Sequence, residues 1–516
     1  MCIRDSVSTC TKTLECNSIN YMTSTKKYET VIGLEVHAQL LTESKMFCSC
    51  PTDYLDARPN SVVCPVCLGL PGAMPSINKK AVEFVVMTGI ALNSEIAGTT
   101  QFHRKNYPYP DLMKGYQISQ YDIPIASNGW LDIDVEGNLK RIGITRIHLE
   151  EDVAKLSHRQ DIKGQDYSLV DVNRSGVPLM ETVSEPDIRS PEEARQYLVH
   201  LRAILQYLGV STGNMEDGSF RCDANISIRP EGSEEFFTRV EIKNMNSLRA
   251  VYRALEYETI RQIEVVENGE RVIQETRGWS EERGITVSQR TKENAHDYRY
   301  FPEPDLPPIA IDLSWQETVK AAVPELPTAK RNRFMSQYGL LEYDANILTN
   351  SRLTAQFYEE AVGQDDGESG QVTLKAKAIA NWMLGDFFGL LNGAGIGMYD
   401  SKLTPKLLRE FTDMVEVGTI RGPAAKTVLE QMFETGNKPS QIANEQGLPQ
   451  IEDDGLLESA VEKVIDDNPQ AVQDYLGGKE TAIRFLLGQV MKETRGRANP
   501  GSVTELLINH LQGMEG

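Results

Sequence analysis

A carboxylate and an imidazole fall on the same side of an alternating stretch near the N-terminus. Between residues 28 and 40, Leu34 and Val36 occupy one parity, and Glu35 and His37 the other. This period of two is typical of a half-buried β-strand, so Glu35 and His37 are expected on one face, one pleat apart. Together they suit a hard metal ion or a proton-transfer site, and the structural alternative is a solvated sheet face.

Four cysteines form a second candidate site. They follow the spacing C-x-C, thirteen residues, C-P-V-C, at Cys48, Cys50, Cys64 and Cys67. Two close pairs separated by a loop can supply four thiolates to tetrahedral zinc. The spacing therefore predicts a zinc knuckle at 48–67 that closes a loop and does no chemistry itself. Reduced structural thiols are the alternative.

Cations alternate with tyrosines in a loop that prolines interrupt, at 101–124. The residues are Arg104, Lys105, Tyr107, Tyr109, Lys114, Tyr116 and Tyr121. Cationic groups beside aromatic rings on a loop can hold phosphates and a base. The segment is a candidate phosphate-binding site, and the alternative is a surface loop with solvated lysines.

Further carboxylates occur at strand ends and turns. Glu150, Glu151 and Asp152 end a predicted strand at 141–152, while Glu181 and Glu185 follow a turn. Alternation places Glu150 and Glu151 on opposite faces, so only one of them can join a given site directly. Carboxylates this far apart in sequence can converge only through the fold.

The sequence also predicts strands and helices that could hold these candidate site residues in place. Strands at 220–229 and 238–243 alternate apolar with charged residues. They indicate an antiparallel sheet with one face on the core and the other lining a polar cleft. A helix follows Ser190, its predicted cap, with Pro191 in the first position. The proline-rich stretch 297–308 ends this domain, and the pattern from 317 onward is helical.

The C-terminal part separates acidic from basic residues. An acidic region at 441–475 precedes a helix surrounded by cations, which are Lys479, Arg484, Lys492, Arg495 and Arg497. A basic helix on an acidic protein is a candidate docking face for a phosphodiester backbone. The alternative is a solvated face that balances the acidic helices.

The composition restricts the class of protein. The chain of 516 residues carries a net charge of -21, which argues against broad non-specific nucleic-acid binding. No apolar run approaches the roughly 20 residues that span a bilayer, and the start lacks the order of a secretory signal. We expect no membrane partner and a location in the bacterial cytoplasm or an organellar matrix. Residues 1–27 are interpreted as a disordered or spurious extension.

Long ordered motifs in this chain resemble the B subunit of the aspartyl/glutamyl-tRNA(Asn/Gln) amidotransferase. They are Val-Ile-Gly-Leu-Glu-Val-His at 31–37, Arg-Lys-Asn-Tyr at 104–107, His-Leu-Glu-Glu-Asp at 148–152, Ser-Glu-Pro-Asp-Ile-Arg-Ser at 184–190, Arg-Cys-Asp-Ala-Asn at 221–225 and Asp-Tyr-Arg-Tyr-Phe-Pro-Glu-Pro-Asp at 297–305. The resemblance implies an α+β fold. A glutamine-synthetase-like antiparallel-sheet cradle domain at 28–316 would precede an all-helical domain at 317–450 and a small helical tail domain at 451–516 that contacts tRNA.

The resemblance also implies a glutamine-hydrolysing ligase that works in two steps. ATP phosphorylates the side-chain carboxylate of Glu on tRNA(Gln), or of Asp on tRNA(Asn), and ammonia then displaces the phosphate. The implied partners are a glutaminase A subunit, which frees the ammonia, and a small C subunit, in a heterotrimer that binds misacylated tRNA. Phosphoryl transfer mainly needs magnesium and positive charge.

Site residues follow from the resemblance by their positions in the motifs. The implied magnesium ligands are Glu35, His37, Glu151 and Glu181. With Lys105 these form the implied catalytic set, and the ATP phosphates would face Arg104, Lys105 and Tyr107. Lys114 and Glu150 would line the ammonia path. The four cysteines match a structural zinc site that many members of the family have.

Two other functions explain part of the pattern. An ATP-dependent amide ligase acting on a free small carboxylate would use the same carboxylate face but would not need the basic tail. A zinc-containing RNA-binding scaffold without catalysis predicts no ATP turnover, and it leaves the shared face of Glu35 and His37 unexplained.

Overall fold

The computed structural model describes residues 27–291, 298–363, 369–446, 454–477, 479, 481–494, 498 and 500–513. The predicted extension, except residue 27, and two predicted tRNA contacts, Arg495 and Arg497, lie outside these residues. The chain divides into two compact units. One comprises Met1–Arg202 and Val210–Ala322, the other Ala203–Gly209 and Val323–Gly516. The domain boundaries at 316 and 450 stay predictions.

Strands belong to the first unit. They are β1 (Tyr28–Gln39), β2 (Glu95–Ile96), β3 (Thr99–Thr100), β4 (His103–Asn106), β5 (Tyr116–Ser119), β6 (Ala126–Val135), β7 (Asn138–Glu151), β8 (Lys155–Gln160), β9 (Asp166–Asp171), β10 (Pro178–Ser184), β11 (Phe220–Pro230), β12 (Val240–Met245), β13 (Glu275–Ser280), β14 (Ile285–Thr291), β15 (Phe301–Pro302) and β16 (Ile309–Ala310).

Helices occur in both units. They are α1 (Lys79–Ala91), α2 (Pro191–Leu208), α3 (Leu248–Glu267), α4 (Leu313–Ala321), α5 (Pro327–Tyr338), α6 (Glu342–Thr349), α7 (Arg352–Val362), α8 (Ser369–Trp382), α9 (Phe388–Ala394), α10 (Pro405–Glu416), α11 (Gly422–Thr435), α12 (Pro439–Glu445), α13 (Asp454–Asp467), α14 (Pro469–Leu476), α15 (Ala482–Glu493) and α16 (Pro500–Gly513).

One large sheet organises the first unit. Its order is β14-β13-β12-β11-β1-β10-β7-β5-β4-β15, with β6 paired to β7 and β2 paired to β6. Its pairs are antiparallel except that of β12 with β13, which run parallel. Helix α3 joins those two strands, because a parallel pair needs a crossover connection. The predicted α+β fold with a sheet domain before helices is confirmed, and the parallel pair is the difference.

Strand β1 lies inside this sheet, between β10 and β11. Leu34, Val36 and Ala38 are almost fully buried, because that face of β1 belongs to the apolar core. Helix α3 packs against β11 and β12. The other face of β1 carries the polar residues of the alternating pattern and is the one that builds the candidate site.

The second unit contains two clusters of buried apolar side chains. The first extends from Phe334 to Ala443 and the second from Leu457 to Leu511. Each cluster gathers the apolar stripes of amphipathic helices. The helical pattern predicted after residue 317 is therefore confirmed. Among the described residues, the helices do not combine the length and apolarity that crossing a membrane requires.

Candidate active site

An imidazole and two carboxylates meet on the polar face of the central strands. His37 of β1 lies opposite Glu181 of β10, which in turn lies opposite His148 of β7. Glu150 follows two residues after His148 and therefore projects from the same face. The distance from His37 Nε2 to a Glu181 oxygen is 3.4 Å, and to a Glu150 oxygen 3.6 Å.

The structure separates the carboxylates that the resemblance grouped. It brings His37 and Glu181 together, and Glu150 rather than Glu151 joins them. Glu151 lies on the opposite face of β7, since adjacent residues of a strand alternate. Glu35 shares the face of His37 but lies opposite Asp223, and it accepts a hydrogen bond of 2.8 Å from Asn225.

Electrostatic coupling shifts the protonation of this cluster. Burial lowers the pKa of His37, but the hydrogen bond to Glu181 and the charges of Glu181 and Glu150 raise it to about 9. Burial opposes ionisation of Glu181 too, yet His148 and His37 hold its pKa well below the usual value. Burial raises the pKa of Glu150. A protonated His37 thus neutralises an ionised Glu181, and a divalent cation that bound here would have to displace the imidazole proton.

The donor set fits a divalent cation. The ligand atoms of His37, Glu150 and Glu181 all lie within 4.8 Å of one another. Two carboxylates match the oxygen preference of Mg²⁺, and the imidazole adds a nitrogen ligand that transition metals prefer. His148, which sequence reasoning did not select, lies with its Nε2 atom 3.4 Å from a Glu181 oxygen. Its position in the motif at 148–152 was the available signal.

Lys105 lies beside this cluster without an ion pair to any described acidic side chain. Strand β4 pairs with β5, and Ser119 of β5 lies opposite Glu150, so Lys105 and Glu150 share a face. The Lys105 ammonium lies 5.0 Å from the ring centre of Tyr298 and 5.8 Å from that of Tyr107. Burial lowers the pKa of Lys105, but Tyr300 and Glu150 raise it above the ordinary value. It is a charged ammonium available to an anion.

Arg104 is engaged elsewhere. Its guanidinium donates two hydrogen bonds of 2.7 Å to the buried carboxylate of Glu303 and lies 4.4 Å from the Tyr116 ring centre. Adjacent residues of β4 project to opposite faces, so Arg104 anchors the segment that carries β15 while Lys105 faces the cluster. Sequence reasoning missed Glu303, although it lies in the motif at 297–305.

A second ion pair lies at the end of β7. The Lys114 ammonium contacts a Glu151 oxygen at 2.6 Å, and the same oxygen accepts a hydrogen bond of 2.9 Å from the Ile118 amide. The predicted ammonia-path pair was Lys114 with Glu150. The structure places Glu151 beside Lys114 instead. A cavity of about 180 Å³ adjoins the pair, and Cys67 and Asp305 also line it.

The four cysteines form one compact group. Their sulfur atoms all lie within 4.8 Å of one another, and those of Cys64 and Cys67 are 3.8 Å apart. Tetrahedral zinc with bonds of about 2.3 Å places its sulfur ligands about 3.8 Å from each other. A hydrogen bond from Cys48 lowers the pKa of Cys67 to about 4, although burial opposes this shift. The site fits structural zinc.

Described residues of the basic tail lie on and near helix α15. Leu486 and Val490 are buried in the second apolar cluster of their unit. Arg484 and Lys492 are exposed, and Phe485 beside them is 52% exposed. Lys479 precedes the helix and pairs with Asp474 at 3.0 Å. The helix thus presents two cations and an aromatic ring to solvent.

Comparison with known proteins covers most of the chain. Residues 30–317 match the model of the GatB/GatE catalytic domain, and residues 357–511 match that of the GatB domain. Proteins named as the B subunit of aspartyl/glutamyl-tRNA(Asn/Gln) amidotransferase are similar to it. That of Dehalococcoides mccartyi strain CBDB1 is 56% identical over 94% of this chain and 99% of its own length. That of Brevibacillus brevis is 54% identical over 95% of this chain and 100% of its own. The chain therefore belongs to the family of aspartyl/glutamyl-tRNA(Asn/Gln) amidotransferase B subunits.

Proposed function

We propose that this chain is the subunit of a tRNA-dependent amidotransferase, a ligase, that carries out the amidation. It converts Glu on tRNA(Gln), or Asp on tRNA(Asn), to the amide in a reaction that consumes ATP. Family membership supports this function, and the single observation that carries the mechanism is the convergence of His37, Glu150 and Glu181 beside the ammonium of Lys105.

The first step is phosphorylation of the substrate carboxylate. Phosphate and carboxylate repel each other, so the site must supply positive charge to both. A divalent cation such as Mg²⁺, held by His37, Glu150 and Glu181, would supply part of that charge. Lys105 binds a phosphate oxygen from the other side, with Tyr107 and Tyr298 limiting access of water to its ammonium. Glu35, a predicted magnesium ligand, projects from the same face of β1 as His37 and precedes it by two residues.

The second step is attack by ammonia on the acyl phosphate. We assign Lys114 and Glu151 to the ammonia path, because they adjoin a polar cavity at the end of the strand that bears Glu150. Ammonia is lost as ammonium if it meets bulk water, so a lined route is needed from a glutaminase A subunit. A small C subunit completes the proposed heterotrimer, and the bacterial relatives favour a cytoplasmic complex.

The tail provides the proposed contact with tRNA. Arg484 and Lys492 can neutralise phosphates, and Phe485 can stack or pack on the nucleic acid. The predicted contact Lys479 is already paired with Asp474, so its contribution to binding is expected to be smaller. Zinc at the four cysteines would be structural.

The test is amidation by purified protein. The chain alone and in complex with its A and C subunits is incubated with Glu-tRNA(Gln), ATP, Mg²⁺ and ammonium, and Gln-tRNA(Gln) is measured. Formation of Gln-tRNA(Gln) by the isolated chain places synthesis in this subunit. Free glutamate in place of Glu-tRNA(Gln) should give no glutamine, whereas a small-molecule amide ligase would accept it.

A further inference from the structure

The turn that directly follows the cysteine knuckle touches the Lys114 segment at a glycine. Gly69 has a φ of +66°, and a Cβ added to it would lie 2.6 Å from Lys114 Cγ and 3.1 Å from the Lys114 amide nitrogen. Carbon atoms do not approach so closely without displacement, so only glycine lets the two segments pack in this way. This turn and the Lys114 segment are thus in direct backbone contact.

The side chain of Lys114 is held from two directions. On one side its stem lies against Gly69, and on the other its ammonium contacts Glu151. Only 15% of the Lys114 side chain is exposed. Cys48 and Cys67 line the same cavity as Lys114 and Glu151. A shift of the knuckle would therefore move one wall of the cavity and the lysine together.

We propose that the cysteine knuckle positions the Lys114–Glu151 pair through Gly69, so that metal binding at the cysteines controls the geometry of the cavity. The inference rests on the proposed function only for its catalytic consequence, which is the delivery of ammonia. The structural part, that Gly69 and the knuckle fix Lys114, stands independently. Gly69 is a positioning residue in this arrangement.

The physical basis is the scarcity of other restraints on the second cysteine pair and the turn after it. Residues 58–62 are hydrogen-bonded to residues 170–173, whereas the hydrogen bonds of residues 64–75 are local except that from the Ser175 hydroxyl to the Cys67 carbonyl. Between Cys48 and Pro75, a stretch that the structure describes throughout, the chain forms turns and no helix, and Leu70 and Met74 beside Gly69 are exposed. A loop with few buried apolar contacts depends on its crosslink for a fixed position. A four-thiolate metal site supplies that crosslink at the base of the Gly69 turn.

A pair of glycine variants tests the contact. Gly69→Ala introduces the clash with Lys114, whereas Gly72→Ala, at a φ of +83°, would meet nothing within 4 Å. Both place alanine in the left-handed region, so their backbone strain is matched. The readout is hydrogen exchange at the Ile118 amide, which bonds to Glu151. We expect exchange at Ile118 at least several-fold faster in Gly69→Ala and unchanged in Gly72→Ala, with equal zinc content.

Removal of the metal tests the control of the cavity. Zinc is extracted from the wild-type chain with a chelator, and Ile118 exchange is measured before and after zinc is restored. We expect several-fold faster exchange without zinc and full recovery with it. Unchanged exchange after complete extraction, or purified protein without bound metal, overturns the role of the metal site.

A double-mutant cycle tests the catalytic consequence in the complete complex. Gly69→Ala should lower glutamine-dependent amidation on the order of 10 to 100-fold, the scale of a displacement of about 1 Å. In a Lys114→Ala background it should cause no further loss, because the group that it displaces is already absent. Equal losses in both backgrounds, or equal losses in Gly69→Ala and Gly72→Ala, overturn the proposal. Absence of amidation by the wild-type complex would instead overturn the proposed function and leave the exchange results valid.

Discussion

Glu150 and Glu151 are neighbours in the chain but belong to different chemical sites. Glu150 approaches His37 at 3.6 Å on one face of β7, and Glu151 contacts Lys114 at 2.6 Å on the other. One strand end would therefore serve both the proposed activation of the carboxylate and the proposed route for ammonia. The two functions should be separable by changing one carboxylate at a time.

Replacing Glu150 by glutamine should remove the activation step. The isosteric amide withdraws a charge from the cation site, and we expect kcat/KM for ATP-dependent amidation to fall about 100-fold or more. Glu151→Gln should retain ATP-dependent phosphorylation of the bound substrate but lower glutamine-dependent amidation. Glu185→Gln, at an exposed carboxylate that accepts a hydrogen bond from Thr145, is the matched control. Equal defects in Glu150→Gln and Glu151→Gln at the phosphorylation step would contradict this division.

Replacing Lys105 by methionine should separate function from stability. Its ammonium makes no ion pair with a described residue, so the loss of charge should leave the melting temperature unchanged or higher. The KM for ATP should rise at least tenfold, because the proposed contact between Lys105 and a phosphate oxygen is lost. Lys140→Met, which breaks a pair with Glu193 at 2.7 Å, is the control and should leave the KM unchanged. A large fall in melting temperature for Lys105→Met would assign this lysine a structural role.

The cysteine group should bind about one zinc per chain. Cys67→Ser should abolish zinc binding and lower the melting temperature, because the metal closes the loop that contains it. Cys222→Ala, at a buried cysteine of β11, should leave the zinc content unchanged. Metal analysis and calorimetry of the two variants measure both effects. A Cys67→Ser protein with full zinc content would contradict the assignment of the ligands.

Asp152 should stabilise the first unit in a pH-dependent way. It accepts hydrogen bonds from Gln39 and Arg221 at 2.7 and 3.0 Å and lies 3.5 Å from Arg174. Burial raises its pKa, but Arg221 and Arg174 outweigh burial and hold the pKa below the ordinary value. Asp152→Asn should lower the free energy of unfolding at pH 7 by about 2 kcal/mol, since it removes a charge-assisted hydrogen bond between a buried carboxylate and the partly exposed Arg221.

The sign of the pH effect follows from the lowered pKa. The stabilisation is complete above the pKa of the unfolded chain, about 3.9, and is lost as pH falls through the lower folded value. Urea unfolding of the wild type and of Asp152→Asn should therefore differ by a constant amount from pH 5 to 8, and the difference should shrink below about pH 4. A difference that is unchanged at pH 3 would show that the carboxylate charge is not responsible.

Exposed cations of α15 should contribute to tRNA binding. Arg484→Ala and Lys492→Ala should each weaken binding and reduce the salt dependence of log Kd by about one charge. Neither should alter the KM for ATP. Lys463→Ala, whose cation is paired with Glu493, is the control and should bind tRNA as the wild type does. If Arg484→Ala and Lys492→Ala keep the wild-type salt slope, α15 does not contact the backbone.

Local sequence patterns predicted the strands and the cysteine cluster better than they predicted which side chains contact each other. The alternation of β1 predicted that Glu35 and His37 share a face, and the cysteine spacing predicted one cluster. Alternation also placed Glu150 and Glu151 on opposite faces, but it could not show which of the two shares a face with His37. That choice depends on the register of β7 with β10, where His148 lies opposite Glu181.

Contacts between residues far apart in the chain could not be predicted from local patterns either. Arg104 and Glu303 are 199 residues apart in the chain, and no local pattern indicates that they meet. The parallel pairing of β12 with β13 was also missed, because the short strand β13 contains Gly278 and lacks a strong alternating pattern. The resemblance identified most of the relevant residues, while the structure determined which of them are in contact.

The register of β7 also limits how its length can change. Inserting one residue between His148 and Glu150 would turn each carboxylate toward the opposite face and exchange their surroundings. Inserting two would restore the orientation but shift both groups by one pleat, about 7 Å, along the strand. Neither change can be repaired by a side-chain rotation, so the spacing from His148 to Glu151 tolerates no insertion or deletion.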